Sequence, residues 1–460
     1  MSDETMKYRE VRYPRAVKRG AVLLGLVVLA LAVALSTTGC GSKKKSSSTT
    51  TAAAGKCQLQ VFSWWTGGGE AAGLAKLITD WNTDASLGGG SPKCPFKNET
   101  VAGGAGSNAK AVLAQRLVAK KPPDSFQGHA GKELLDYIKA GQIEPINFIY
   151  KAGGFENAMA PQLIKQITYK GNLYSVPVNI HRANILWFNP KVLKAAGITI
   201  AAGAPLTWDQ FISDLNAIKS KQPNVTPLSL GEAWTQKNLL ETVIIGVVGP
   251  DGWASLFTKS GDWSSAGVTT ALDRFKTLLT YTNSDAASLT WQDAGKLVVD
   301  GKAAFNLMGD WQEGYFGGKV AAGNLGKKSG VDYSWTAMAD NNGVFDWLSD
   351  SFTLPKGAPH RDAAVKWLTF LGSLKAQDTF NPVKGSIPAR TDANAALYDT
   401  YLKWSLKQWK TDKLACSLAH GCIASNAWNA DVDTALGQFM QSKDVAAFQK
   451  ALAAAAKKNA

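Results

Sequence analysis

A pair of tryptophans followed by a carboxylate offers the clearest binding chemistry in the sequence. Residues 58–63 alternate between apolar and polar side chains, which is typical of a half-buried strand. Trp64 and Trp65 follow, then a glycine turn, then Glu70 at the start of a helical run over 71–81. Two aromatic faces beside a carboxylate suit a polar ring with apolar faces, which describes a sugar. Because adjacent strand residues point to opposite faces, at least one tryptophan is expected in the core.

A strand, a glycine turn and a helix in this order form the first βα unit of an open α/β sheet. Such sheets bind ligands beyond the carboxyl ends of their strands. The stretch 100–106 (TVAGGAG) reads as a second strand and glycine turn, with a helix over about 108–119. Residues 122–131 read as a short strand that leads into a helix. Gln127 and His129 would share one face of that strand near its carboxyl end.

The first forty residues have the pattern of an export signal. Basic residues precede an apolar run over 21–35, and Thr-Thr-Gly-Cys ends at Cys40. Small residues ending in Gly-Cys resemble the lipobox of bacterial lipoproteins, whose cysteine is lipidated. We expect a signal peptide over 1–39 and a lipidated Cys40 at the start of a flexible Ser-, Thr-, Ala- and Lys-rich tether over 40–56. The body would then lie outside the cytoplasm, at the outer face of the cell membrane. An uncleaved membrane anchor is the alternative.

The charge of the body is modest once this leader is set aside. The formal net charge of +14 becomes +7 without the six basic and three acidic residues of 1–39 and the four lysines of 40–56. The body contains no clustered basic run, which argues against nucleic-acid binding. Its roughly 400 residues are enough for two lobes with separate cores.

Four cysteines follow Cys40, and an even number in an exported chain favours disulfides. Three pairings are possible. We predict Cys57–Cys94 and Cys416–Cys422, because near neighbours at each end of the chain pair most simply. A metal site is the weaker alternative, since no CxxC or HxxxH spacing accompanies these cysteines. We expect no metal and no cofactor.

Several later stretches carry a resemblance to one family. Residues 169–198 (YKGNLYSVPVNIHRANILWFNPKVLKAAGI) are similar to the segment that crosses between the lobes of family 1 extracellular solute-binding proteins, the sugar-binding subunits of ABC importers. PLTWDQF, GKAAFNLMGDW, DSFTLPKGAPHRDAAVKWLTFL and GSIPAR fit the same family in the same order. VFSWWTGGGE, SFQGHAG, GEAWTQ, LTWQDA, MGDW, LSDSF and NPVKGS together resemble its glucose-binding branch.

The resemblance implies a two-lobe α/β fold of the periplasmic-binding-protein type (type II), with a sheet flanked by helices in each lobe and hinge strands between them. The N-terminal lobe would take 57–178 and 349–385, and the C-terminal lobe 179–348 and 386–460. Hinge closure would bury a monosaccharide, with glucose first and galactose or mannose next. The implied protein is a monomer that delivers its sugar to membrane permease subunits, and it is not an enzyme.

The resemblance also implies a set of ligand-binding residues. Tryptophans would cover the sugar faces, carboxylates would accept from hydroxyls, and Lys384 would donate to them. His420 would lie inside a five-residue disulfide ring that stiffens it. Asn179 and Asp310 match neighbouring positions of the family pattern, whereas His181 and His360 are not assigned to the site. The full set is Trp64, Trp65, Glu70, Gln127, His129, Asn179, Trp291, Asp310, Trp311, Asp350, Lys384 and His420.

Two other functions fit parts of the sequence. A secreted glycoside hydrolase also combines tryptophans with paired carboxylates, here Glu70 and Asp350. The sequence contains no GxSxG, HExxH or GxxxxGK[ST] motif. A sensor lipoprotein that docks a membrane receptor would use the same closed state as an importer subunit, and the sequence does not separate these two.

Overall fold

The structure, a computed structural model, describes residues 57–460. The predicted signal peptide, the lipidated Cys40 and the tether lie outside the described residues.

Fourteen strands are present in this part of the chain. They are β1 (Leu59–Ser63), β2 (Phe96–Thr100), β3 (Ser125–His129), β4 (Thr168–Tyr169), β5 (Asn172–Leu173), β6 (Ser175–Pro177), β7 (His181–Arg182), β8 (Ile185–Phe188), β9 (Thr226–Ser229), β10 (Ala303–Met308), β11 (Ser334–Ala337), β12 (Val344–Leu348), β13 (Asp350–Thr353) and β14 (Lys413–Cys416).

Sixteen α-helices lie between and after these strands. They are α1 (Gly68–Thr83), α2 (Ser107–Val118), α3 (Leu134–Lys139), α4 (Asn147–Gly153), α5 (Pro161–Ile167), α6 (Pro190–Ala195), α7 (Trp208–Lys221), α8 (Ala233–Leu256), α9 (Ala266–Leu278), α10 (Trp291–Val299), α11 (Trp311–Gly317), α12 (Arg361–Leu371), α13 (Leu374–Lys384), α14 (Thr400–Thr411), α15 (Asn426–Ser442) and α16 (Val445–Asn459).

The first sheet has the strand order β2-β1-β3-β13-β6. β1 is parallel to both β2 and β3, whereas β13 is antiparallel to β3 and β6. The carboxyl ends of the three parallel strands therefore meet at one edge of the sheet. The register pairs Asp350, the first residue of β13, with His129, the last residue of β3. This pairing brings two residues from distant parts of the sequence to the same edge.

A second sheet has the order β11-β8-β10-β9, and a third has the order β14-β12-β7. β10 is parallel to β9 and antiparallel to β8. The chain leaves the first sheet between β6 and β7 across residues 178–180, returns to it between β12 and β13 at Ser349, and leaves it again between β13 and β14. These crossings place β7 and β13 next to the edge of the first sheet that carries His129.

Two separate hydrophobic cores account for the burial of the apolar side chains. One contains Leu59, Val61 and Phe126 under the first sheet. The other contains Phe188 and Phe305 under the second sheet. Among residues 57–460, α8 is long and apolar enough to cross a membrane, but more than half of its most apolar window is buried in the fold. It is interrupted at Gly249, whose φ of +74° is not helical.

Both predicted disulfides are present. Cys57 and Cys94 join the start of β1 to the segment before β2, with Cα atoms 4.7 Å apart. Cys416 and Cys422 close a short ring after β14, with Cα atoms 5.4 Å apart. The pairing of near neighbours predicted from the sequence is therefore confirmed.

Candidate ligand-binding site

A cavity of about 200 Å³ lies at the edge where β3, β7 and β13 meet. It is lined by side chains from the first and third sheets and from helices α1, α8, α10, α11 and α13. Nine of the twelve residues predicted from the sequence are brought together in its wall: Trp64, Trp65, Glu70, His129, Trp291, Trp311, Asp350, Lys384 and His420.

The two tryptophans after β1 both reach this cavity. Trp65 is almost fully buried and packs against Phe380, with ring centroids 4.8 Å apart. Trp64 tilts against His129 at 5.0 Å. Gly106, with φ +90°, lies so close that a Cβ there would approach the Trp64 ring to 2.7 Å, so only glycine allows this contact. The strand end thus supplies two aromatic surfaces, each with one side fixed by packing.

Two tryptophans from helices in the second half of the body, α10 and α11, also line the cavity. Trp291 is the first residue of α10, which a capping box between Thr290 and Asp293 holds in place. Trp311 is the first residue of α11 and packs edge-on against His181 at 5.3 Å. Trp291 remains partly exposed, whereas Trp311 is buried. The cavity wall therefore combines indole surfaces from two distant parts of the chain.

Asp350 is the most heavily hydrogen-bonded carboxylate in the wall. Its Oδ1 accepts from Gln127 Nε2 at 2.9 Å, and its Oδ2 accepts from Asn179 Nδ2 at 2.8 Å. His181 Nε2 lies 3.2 Å from the same Oδ2. Burial alone would raise the pKa of Asp350, but the hydrogen bond and charge of His181 and the charge of Lys384 bring it below its usual value. Asp350 is therefore an ionised acceptor held in one orientation.

His181 lies between two carboxylates. Its Nδ1 is hydrogen-bonded to Asp310, whose other oxygen accepts from the Arg182 backbone N–H at 3.0 Å. Burial lowers the pKa of His181, but Asp310 and the hydrogen bond to Asp350 outweigh it and raise that pKa above its ordinary value. The two carboxylates therefore favour the protonated form of this buried histidine.

A second ion pair joins α1 to the end of α13. Lys384 Nζ donates to Glu70 Oε2 at 3.2 Å, and both side chains are largely buried. The ammonium also lies 5.8 Å from the Trp311 ring centroid, within the range of a cation–π contact. Burial raises the pKa of Glu70, and the charge of Lys384 opposes that rise. The pair supplies one donor and one acceptor beside the aromatic surfaces.

The two remaining histidines of the set face each other, with ring centroids 5.8 Å apart. His129 Nδ1 is 2.8 Å from Glu133 Oε2, which also accepts from Lys110 at 2.7 Å. Burial would raise the pKa of Glu133, but the charges and hydrogen bonds of Lys110 and His129 lower it to about 2. For His420, burial and then repulsion from neighbouring cations lower the pKa well below 6.5. His420 is therefore neutral.

Three predicted residues do not line the cavity. Gln127 and Asn179 hydrogen-bond Asp350, and Asp310 hydrogen-bonds His181. They hydrogen-bond the lining groups and hold them in position. Asn179 Oδ1 also accepts from the Asp350 backbone N–H at 2.8 Å, which fixes the start of β13.

Sequence reasoning missed several wall residues. His181 lines the cavity although it was not assigned to the site, and so do Glu232 and Trp234. Trp234 packs against Trp311 at 6.1 Å, and its Nε1 donates to Glu232 at 2.9 Å. Trp234 and Glu232 belong to GEAWTQ, one of the stretches that carry the family resemblance, and this membership could have assigned them to the site. Within residues 57–460, no group of three or more His, Cys, Asp or Glu side chains is arranged to hold a metal ion.

The sequence model of one family, described as bacterial extracellular solute-binding protein, matches residues 92–378. This match covers more than half of the chain. The chain belongs to the bacterial extracellular solute-binding proteins. Its place of action is accordingly outside the cytoplasm, and it is a binding protein, not an enzyme. The glycoside hydrolase alternative is set aside.

Curated relatives extend the likeness to most of the chain. An uncharacterized ABC transporter extracellular-binding protein of Pyrococcus horikoshii is 36% identical over 428 residues, 91% of this chain and 92% of that protein. A xylose/arabinose-binding protein of Haloferax volcanii is 28% identical over 86% of this chain and 84% of its own. A glucose-binding protein of Saccharolobus solfataricus is 25% identical over 55% of this chain and 46% of its own.

Solved structures of binding proteins share the fold. A bacterial solute receptor described as having an exclusive preference for β-D-galactopyranose superposes with a TM-score of 0.72 at 19% identity, covering 88% of this chain and 98% of that one. A maltose-bound protein of T. maritima gives a TM-score of 0.67 at 14% identity, with coverages of 87% and 99%. The two-lobe periplasmic-binding-protein-like fold expected from the sequence is confirmed.

Proposed function

We propose that the chain binds a single sugar ring in this cavity and delivers it to an ABC importer. The observation that carries the proposal is the pairing of indole surfaces with buried hydrogen-bonding groups. A pyranose has C–H groups on its faces and hydroxyls around its edge, and the cavity offers a complementary partner for each. Ionised Asp350 accepts, Lys384 donates, and four of the lining residues from the predicted set are tryptophans, Trp64, Trp65, Trp291 and Trp311.

Two polar atoms in the wall support this reading. Among the described residues, Trp65 Nε1 and His420 Nε2 are buried without a hydrogen-bond partner. The indole N–H is a donor, and a neutral imidazole nitrogen is an acceptor when its other nitrogen carries the proton. Buried polar atoms are normally paired, so these two are suited to hydroxyl groups of a ligand. A hydroxyl both donates and accepts, and can satisfy either.

The size of the cavity favours a monosaccharide. Its volume of about 200 Å³ is below the roughly 300–1,000 Å³ typical of larger ligand sites. We place glucose first and galactose or mannose next, as the resemblance to the glucose-binding branch implies. Relatives named for glucose and for xylose or arabinose agree with a small sugar.

Closure of two lobes would complete the site. We propose the boundaries 57–178 with 349–385 and 179–348 with 386–460. All five strands of the first sheet fall in the first set, and all seven strands of the other two large sheets fall in the second. The cavity residues come from both sets, so a hinge motion that separates them would open it.

Calorimetric titration tests the proposed function. One glucose per chain should bind, with weaker binding of its epimers, because each misplaced hydroxyl leaves a buried group unpaired at a cost of about 1–3 kcal/mol. Tight binding of maltose in place of any monosaccharide would keep the binding role and change the ligand. Absence of heat with every sugar would refute the proposal.

Glucose affinity should fall as the medium is acidified through the pKa of Glu70, which burial raises above 4.5. Binding uses the ionised form as acceptor, so protonation weakens it by up to about tenfold for each pH unit below that pKa. The Glu70→Gln variant should bind more weakly at neutral pH and lose this acid dependence. An unchanged acid profile in the variant would assign the titration to another group.

We further propose that Cys40 carries the lipid that holds the protein at the membrane as a monomer. A Cys40→Ser variant should move from the membrane fraction to the soluble fraction and lose incorporation of labelled palmitate. The matched variants are Cys57→Ser and Cys94→Ser, which affect a disulfide of the body. Retention of Cys40→Ser in the membrane with full labelling would contradict lipidation at this residue.

A further inference from the structure

The ring closed by Cys416 and Cys422 carries a ligand-facing histidine on a short and highly constrained loop. Ser417 O accepts from the Cys422 backbone N–H at 3.0 Å, and Gly421 N–H donates to Leu418 O at 3.2 Å. His420 is 3% exposed and packs edge-on against Trp234 and Trp311, with ring centroids 5.7 and 5.2 Å away. The packing of these two rings restricts the orientation of the His420 ring.

A buried carboxylate from another element anchors this ring. Glu241 in the middle of α8 is fully buried. Its Oε2 accepts from the backbone N–H groups of Leu418 and Ala419 at 2.6 and 2.8 Å, and its Oε1 accepts from Ser417 Oγ at 2.8 Å. Glu241 does not line the ligand cavity. It contacts the loop and not the ligand space.

The hydroxyl of Ser417 connects Glu241 to His420. Ser417 Oγ lies 2.9 Å from His420 Nδ1. A hydroxyl has one hydrogen, and with Glu241 ionised it is donated to Glu241 Oε1. Ser417 Oγ is left as an acceptor, so the proton of the neutral imidazole must be on Nδ1. The Nε2 atom, which is buried without a partner among the described residues, then carries a lone pair.

We propose that Glu241 is a positioning residue that sets the tautomer of His420 through Ser417, so that His420 Nε2 faces the cavity as an acceptor. This inference rests on the proposed function for its consequence in binding. The consequence is selectivity: the sugar must present a hydroxyl that donates to Nε2. A sugar that lacks the hydroxyl leaves Nε2 buried and unpaired.

The Glu241→Gln variant changes this arrangement in a defined way. The amide oxygen takes the place of Oε2, because that site receives two backbone N–H groups. The amide NH₂ then faces Ser417 Oγ and donates to it. The hydroxyl of Ser417 turns to donate to His420 Nδ1, and the imidazole proton moves to Nε2. The variant therefore converts the cavity atom from an acceptor to a donor without removing any side chain from the wall.

Nitrogen NMR of the sugar-free protein tests the tautomer directly. The chain has only four histidines, so ¹⁵N-histidine labelling of the full chain gives few signals. A His420→Gln variant identifies the signals of this residue. The protonated and unprotonated ring nitrogens resonate far apart, so the spectrum reports which nitrogen carries the proton. The matched control is Glu313→Gln, a buried glutamate bonded to Tyr333 outside the ligand cavity.

The expected spectrum shows the proton of His420 on Nδ1 in the parent and in Glu313→Gln, and on Nε2 in Glu241→Gln. A proton on Nε2 in the parent would overturn the proposal. So would an Nδ1 proton that persists in a folded Glu241→Gln protein. Should that variant not fold, Ser417→Ala supplies the second test, because it removes the relay and should release His420 to a mixture of tautomers. A single Nδ1–H form in a folded Ser417→Ala protein would also overturn the proposal.

A titration then connects the tautomer to binding. Glu241→Gln should weaken binding of the preferred sugar by at least about tenfold, as expected when a buried polar pair is mismatched. The deoxy-sugar that lacks the hydroxyl facing Nε2 should lose less affinity than the complete sugar does when Glu241 is replaced by glutamine. Equal losses for both sugars would overturn the selectivity role. Failure of every sugar to bind would refute the proposed function, while the NMR result would still decide the tautomer.

Discussion

Replacing Asp350 with asparagine should reduce glucose affinity by about thirtyfold or more, since truncating one member of a buried, hydrogen-bonded charge pair costs about 2–5 kcal/mol. The change removes the carboxylate charge that faces His181 and Lys384. It also turns one acceptor oxygen into an amide donor opposite Gln127 Nε2 or Asn179 Nδ2. Calorimetric titration below the melting temperature measures the affinity.

The same substitution should lower the melting temperature, because His181 keeps only one of its two carboxylates. The lowered pKa of Asp350 contributes to the free energy of unfolding. This contribution is complete above a pH of about 3.9, the usual pKa of aspartate in an unfolded chain, and it is lost as the pH falls through the lower pKa of Asp350 in the folded protein. Asp392→Asn is the control, since its carboxylate is half exposed and pairs with Arg390 at the surface. Full affinity in a destabilised Asp350→Asn protein would make Asp350 a structural residue only.

Trp291→Ala should weaken glucose binding by about tenfold to a hundredfold, which corresponds to the 1.4–2.8 kcal/mol expected from one aromatic surface that covers a sugar face. Trp291 is partly exposed in the cavity wall and packs edge-on against Tyr315 at 5.4 Å. Its loss should therefore reduce affinity with a small change in melting temperature. Fluorescence or calorimetric titration gives the affinity.

The chain offers a closely matched control for this variant. Trp208 is also partly buried and is also the first residue of a helix capped by threonine, Thr207. It packs under the guanidinium of Arg274, 4.6 Å from the ring centroid, away from the cavity. Trp208→Ala should leave the affinity unchanged. Equal losses in the two variants would show that helix disruption, not lost contact with sugar, explains the effect.

The strand and helix that open the body could be predicted with good accuracy because local and tertiary signals agree there. Residues 58–63 alternate as a half-buried strand does, and the observed strand is Leu59–Ser63. The predicted helix over 71–81 is present, but it runs over Gly68–Thr83, so two of the three glycines assigned to the turn belong to its first turn. The short strand with Gln127 and His129 on one face was also predicted correctly. In each case the apolar residues that identify the element in the sequence are buried in the fold.

The second strand was placed too late in the sequence. It runs over Phe96–Thr100, and the apolar stretch after Thr100 forms a loop and a short 3-10 turn. The strand is at the edge of its sheet and has no fully buried residue, so it lacks the apolar alternation that identifies an internal strand. The apolar stretch is instead a glycine loop against Trp64 in the cavity wall.

The role of His181 could not be read from its neighbourhood in the sequence. It lies on a two-residue strand just after the chain leaves the first sheet, where no periodic pattern exists. Its importance comes from Asp310 and Asp350, which are more than a hundred residues away. The charge of a buried histidine depends on such distant partners, and only the fold shows them. The family resemblance supplied Asp310 and Asp350 but not the histidine between them.

A crystal structure of the protein with bound glucose shows whether one sugar ring lies between the indole surfaces and binds the buried charged groups. We expect a ring between Trp291 or Trp311 and the Trp64–Trp65 pair, with hydroxyls within hydrogen-bond distance of Asp350 and Lys384. Glucose bound elsewhere on the protein, with Asp350 and Lys384 still paired only to protein groups, would show that this cavity is not the sugar site.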